Sequence, residues 1–138
     1  MLHHIECYVS DLTTSRAFWG WLLGRLDYRP YREWDGGVSF IKDGTYLVFV
    51  QAEERFLDIP YHRRRPGLNH LAFVARSREH VDEIATELEQ RAVPLLYRDK
   101  YPYAGGPEHY AVFFEDPDRI KVEVIAPPEG CGLPRLHG

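Results

Sequence analysis

The chain has little cysteine, a single methionine, no long apolar run and no excess of positive charge. Each shortage excludes something. Two cysteines, Cys7 and Cys131, lie at opposite ends of the 138 residues without CxxC spacing, too few for a disulfide framework, and both are read as free thiols. No apolar stretch approaches the roughly 20 residues that cross a bilayer, so no membrane association is expected. Seventeen Lys and Arg against 21 Asp and Glu give a net charge of -4. That balance argues against nucleic acid as a partner, because neutralising phosphates needs a clustered basic surface. The one basic cluster is "HRRR", His62 to Arg65, read as a solvated loop or as a lure for an anionic substrate. No basic segment followed by an apolar stretch and a small-residue cleavage site opens the sequence, and a cytoplasmic address is the expectation.

What is present suffices for a packed core: 44% of residues are apolar and 28% charged. "IECYV" alternates as a strand does, and "SDLTTSRAFWGWLLGRL" turns to helical spacing, with Leu12, Trp19, Leu22, Leu23 and Leu26 on one face. Ser10 or Asp11 can cap that helix. Strand-like runs follow at 28–34, 38–42 and 46–51, punctuated by "DGG" and "DG". After a polar connection with two prolines the pattern restarts. "LNHLAFVA" reads as a strand, "SREHVDEIATELEQRA" as a helix capped by Ser77, and 93–97, 110–115 and 120–125 as strands. His4 precedes Asp11 by seven residues and His70 precedes Ser77 by seven, so the two halves repeat with a period of 66.

The resulting expectation is an α+β fold of two βαβββ modules, about 2–51 and 68–126 joined by a linker at 52–67, in one domain spanning 1–126, with an irregular tail at 127–138. Each sheet has one helix to cover one face. The open faces, if turned together, enclose a concavity.

Strand parity selects the side chains of those open faces. Ile5, Cys7 and Val9 belong under the first helix, which leaves His4, Glu6 and Tyr8 opposite, with His3 at the strand end. Leu71 and Phe73 belong under the second helix, leaving His70. In the last strand Val122 and Val124 leave Glu123. His4, His70 and Glu123 are two imidazoles and a carboxylate, a set that suits divalent Zn, Fe, Mn, Ni or Co and leaves positions open for substrate. The competing reading makes each histidine an ordinary structural group. Glu123 would then need a raised pKa or a nearby cation to be buried. Binding needs neutral imidazoles, so metal affinity should fall with pH through the histidine range.

Two stretches, "HIECYVSDLTTSRAFWGWLLG" and "EDPDRIKVEVI", resemble the opening and closing signatures of the vicinal oxygen chelate superfamily, which includes glyoxalase I, bleomycin and fosfomycin resistance proteins and extradiol dioxygenases. The resemblance runs from about Leu2 to Ala126. It implies paired βαβββ modules forming a cup around a divalent metal ion, with His4, His70 and Glu123 as ligands and His3 a bystander. It also implies a small-molecule substrate or ligand, and, since such proteins pair or exchange modules, a homodimer. Val48 stands where glyoxalase I carries a further glutamate, with Gln51 nearby on the other parity. Phe113 and Glu6 stand where fosfomycin enzymes carry a tyrosine and a threonine. The function expected is a glyoxalase-like lyase or isomerase that stabilises oxyanion charge on a small oxygenated substrate. The alternatives are an Fe(II) dioxygenase and a metal-free protein that sequesters an antibiotic or metabolite.

Two further residues are candidates for catalysis. Glu6, about 6.6–6.8 Å along the strand from His4, is a general base or a rim carboxylate paired with an arginine. His109, by parity with Ala111 and Phe113, is a proton shuttle, a substrate anchor or a structural group. "YPYAGG" at 101–106 is a loop able to close over a ligand or a plain hairpin connection.

Overall fold

The computed structural model describes residues 1–128; Cys131 and most of the 127–138 tail lie outside the described residues. The chain runs β1 (His4–Val9), α1 (Leu12–Arg25), β2 (Arg29–Trp34), β3 (Gly37–Lys42), β4 (Thr45–Gln51), then β5 (His70–Val74), α2 (Arg78–Gln90), β6 (Leu95–Leu96), β7 (Ala111–Glu115) and β8 (Lys121–Ile125), with single 3-10 turns at Glu54–Phe56 and Arg98–Lys100. It is α+β, with two four-stranded mixed sheets ordered β1-β4-β3-β2 and β5-β8-β7-β6. In each sheet the first and last strands of the module pair in parallel. Two compact units result. One comprises Met1–His62 with Asp116–Ile120; the other comprises Arg63–Glu115 and the chain from Lys121 onward.

In the first unit, Asp11 is the residue that caps α1, its carboxylate accepting from Thr14 N at 3.3 Å. Gln51, at the end of β4, adds a second restraint by accepting from Leu12 N at 2.8 Å and donating to Ser10 O at 2.9 Å. Asp43 and Gly44, at φ 50° and 81°, make the tight turn between β3 and β4, as a DG pair in a two-residue hairpin should. The core is the apolar stripe of α1 on β4. Trp19 and Phe49, both wholly buried, stack with centroids 4.8 Å apart. Side chains of this size contribute about 1.5–3 kcal/mol each when fully buried. The indole of Trp19 donates to Asp116 Oδ2 at 3.1 Å, and Asp116 Oδ1 accepts from the backbone of Asp118 and Ile120, at 2.9 and 2.7 Å. The "DPD" segment is thereby tied into the first unit.

In the second unit, Ser77 Oγ accepts from His80 N at 3.1 Å, and buried His80 returns the bond by accepting from Arg76 N at 3.0 Å. The pair resembles a capping box, except that the N3 side chain is an imidazole and reaches past the N-cap to the N–H of the residue before it. Val81, Ile84 and Leu88 of α2 bury completely, as do Val112, Phe114, Val122 and Val124 of the sheet. The strand expected over 93–97 is reduced to Leu95–Leu96. Pro94 has no N–H to pair, and Tyr97 turns left-handed at φ 55°, so neither end can continue the ladder.

Candidate functional site

Burial along β1 follows the parity argument: His4, Glu6 and Tyr8 are exposed, Ile5 and Cys7 are half-buried and Val9 is buried. Glu6 lies beside Val48 of β4 in register, and Val48 is buried, so no carboxylate from β4 joins it. The His4 ring stacks on Tyr46, with centroids 4.7 Å apart and planes 3° from parallel. Tyr46 also meets Tyr31 at 5.2 Å. The Nδ1 of His3 lies 2.8 Å from Nδ1 of His4. One ring donates and the other accepts, which leaves Nε2 as the free corner of His4. At the strand end His3 is exposed, its ring turned onto its neighbour. Cys7, a free thiol, is pushed above its ordinary value by burial, aided by the charges of Asp116 and Glu6.

In the second unit, Glu123 is the centre of a cluster. It is 4% exposed, and both of its oxygens face imidazole nitrogens. His70 Nε2 lies 3.3 Å from Oε2, and His109 Nε2 forms a hydrogen bond with Oε1. The orientation of His70 is fixed from outside: its Nδ1 lies 2.7 Å from Asn69 Oδ1, while Asn69 Nδ2 donates to Arg63 O at 3.4 Å. With the amide so assigned, Nδ1 carries the proton and donates to Asn69. In a neutral ring Nε2 then presents a lone pair to a carboxylate. Two acceptors so placed need a proton or a metal ion between them. Imidazole orientation by an outer hydrogen bond is also the usual arrangement at a metal ligand.

The ring of His109 rests on the 101–106 loop. A Cβ at Gly105 would lie 3.0 Å from its Cγ and 3.1 Å from its Nε2, so only glycine leaves room for it. The Phe113 ring lies nearby, its centroid 6.3 Å away and its plane tilted by 19°. The loop is anchored to α2 by Asp82, whose Oδ1 accepts from Tyr110 at 2.6 Å and from Tyr101 at 2.5 Å. Burial, reinforced by donation to Asp82, pushes the Tyr110 hydroxyl up to about 12, and that of Tyr101 is raised further. The sequence offered "YPYAGG" as a lid or a hairpin connection; in the structure it seats a histidine. Of "HRRR", Arg63 pairs with Glu115 at 2.9 Å.

Among the described residues, no group of three or more His, Cys, Asp or Glu side chains is arranged to hold a metal ion. Within the second unit the chemistry of the donors nevertheless suits one: a buried carboxylate beside an oriented imidazole lone pair. His4 belongs to the first unit, and His70, His109 and Glu123 to the second.

Fold, repeat and site residues together define a class. The chain belongs to the glyoxalase/bleomycin resistance protein/dioxygenase superfamily, whose family model matches residues 3–114. The match takes in His4, Glu6, His70 and His109 and stops short of β8 and Glu123. Among individual proteins, it is 58% identical over 126 residues to the uncharacterized Bacillus subtilis protein YqjT, covering 91% of this chain and 98% of that one. A glyoxalase-like protein of Bacillus halodurans, solved by crystallography, is 58% identical with a TM-score of 0.91, over 92% of this chain and 96% of that one. The fold is shared with lactoylglutathione lyase of Agrobacterium tumefaciens, at 23% identity, a TM-score of 0.64 and 91% and 92% coverage. No described helix is long and apolar enough to cross a membrane.

Proposed function

We propose that the protein is a metal-dependent enzyme of the glyoxalase type, in which His4, His70 and Glu123 hold one divalent cation and a small oxygenated molecule is the substrate. The observation that carries this reading is the pairing of buried Glu123 with an imidazole whose other nitrogen is already committed to Asn69. When bound, the cation supplies Lewis acidity to a substrate oxygen and leaves coordination positions open.

The remaining chemistry falls to the chain's own groups. His109 holds a proton at Nε2 against Glu123 Oε1 and can pass it to or from a substrate atom placed beside that oxygen. Glu6, exposed on the same face of β1 as His4, is the carboxylate available to take a proton from carbon, since Val48 occupies the neighbouring position. A proton shift next to a carbonyl needs such a base and an oxyanion stabiliser. The reaction class is therefore a lyase or isomerase, and a cytoplasmic homodimer is its expected setting.

One observation favours a second reading. The His109–Glu123 bond already partners the buried carboxylate, so a doubly protonated His70 would satisfy the cluster without metal, as a protein that only sequesters its ligand would require. Elemental analysis and calorimetric titration of untagged protein separate the two. The first reading expects about one equivalent of Zn, Ni, Mn, Co or Fe per chain. His70→Ala and Glu123→Gln should each weaken binding by more than the 10–100-fold typical of an outer-shell loss. Metal-free protein with no measurable affinity for any of the five would leave the sequestering protein.

A further inference from the structure

The first unit contains a cavity that the metal proposal does not use. It encloses about 540 Å³ between the end of β1, the 116–120 turn and the segment 52–61, within the range of small-molecule sites. Its walls include Tyr8, Phe56, Ile59 and Tyr61. Three of these are unusually open: Tyr8 is 69% exposed, Phe56 63% and Ile59 70%. Large apolar side chains grouped this way around a concavity mark a binding surface more often than scattered ones do.

The polar part of the lining is one-sided. Its charged members are Glu53 and Asp118, and no Lys, Arg or His is among the described residues that line it. Asp118 is held in place by Ser10, whose backbone N–H donates to Oδ2 at 3.0 Å and whose hydroxyl donates to Oδ1. A carboxylate has about four lone-pair sites, so two remain to face a ligand. Glu53 is paired with Arg55 at 2.7 Å, and the same guanidinium lies 4.7 Å over the Phe56 ring. The rim thus already shows a cation held between a carboxylate and a ring face. That pair is well exposed on both sides and correspondingly weak, so a better-fitting cation can displace it.

We infer that this cavity binds a small organic cation, an amine carried on an aromatic or branched apolar body, with the body against Tyr8, Phe56 and Ile59 and the ammonium between Glu53 and Asp118. Aromatic faces attract such a cation beyond the burial of its apolar part. A neutral ligand would leave the two carboxylates unused, and an anion would meet them directly. The inference does not depend on the metal site.

A size-matched series tests it: 4-phenylbutylamine, 4-phenylbutanol and 4-phenylbutyrate, titrated calorimetrically into the full chain at low salt. The amine should bind about tenfold more tightly than the alcohol, and the carboxylate least. Glu53→Gln and Asp118→Asn should each bring the amine toward the alcohol and leave the alcohol unchanged, Glu53→Gln serving if loss of Asp118 disturbs the turn. Phe56→Ala should weaken both. Equal binding of all three, or no binding of the amine at millimolar concentration, overturns the inference. So does a dimer that Ile59→Asp dissolves when the amine binds neither form, since the surface would then be a self-association face.

Discussion

Asp116 is the most exacting test of how the two ends of the chain are tied together. Its carboxyl is 4% exposed, and burial pushes it up to about 6 from an ordinary 3.8, against three N–H donors that pull the other way. The folded state therefore binds the proton more tightly than the unfolded one. Stability from this group is present in full below about pH 3.8 and is lost as pH rises through about 6. At 1.36 kcal/mol for each pH unit between the two values, ionisation at neutral pH costs the fold about 3 kcal/mol. Asp116→Asn cannot ionise. Its oxygen can keep the bonds from Asp118 and Ile120, but its amide N–H₂ faces the Trp19 indole N–H, a mismatch worth about 1–3 kcal/mol at every pH. Urea unfolding of both proteins from pH 4 to 7.5 separates the effects. The wild-type advantage should shrink by roughly 2–2.5 kcal/mol over that range. A difference that stays flat would mean that the three donors offset burial, and one that grows with pH that they outweigh it; either would refute the raised value.

Gly105→Ala should push the His109 ring off its seat and break its bond to Glu123, seen as a change in the His109 ring signals in long-range ¹H–¹⁵N spectra with the rest of the spectrum retained. Unchanged ring signals would mean that the loop backs away instead. Asp82→Asn removes the charged acceptor shared by Tyr101 and Tyr110 and should lower stability by about 1–3 kcal/mol, measured by urea unfolding. Tyr101→Phe and Tyr110→Phe should each lose only part of that.

Much of the fold was readable because its signals are periodic. Alternation in "IECYV" and "HLAFV", helical spacing after Asp11 and Ser77, and the 66-residue repeat lead directly to two βαβββ modules, and the side of each strand on which His4, His70 and Glu123 stand follows from parity. What was not readable depends on contacts between segments distant in sequence, or on local geometry with no period. Nothing in the pattern says that Gly105 makes room for a ring four residues on, that Asn69 sets the tautomer of its neighbour, or that His3 turns back onto His4. The shortening of the strand at 95–96 follows from a left-handed Tyr97, a conformation that tyrosine rarely signals. The tie between Trp19 and Asp116 spans 97 residues; the indole looked like one more member of an apolar stripe.

The central claim is that His4, His70 and Glu123 share one cation, and cobalt reads it most directly. In protein loaded with one equivalent of Co(II), proton NMR should show two strongly shifted, exchangeable imidazole N–H signals, from the Nδ1 protons of His4 and His70. His4→Ala and His70→Ala should each remove one. Two shifted signals that survive His4→Ala unchanged, or none at saturating cobalt, would contradict the account.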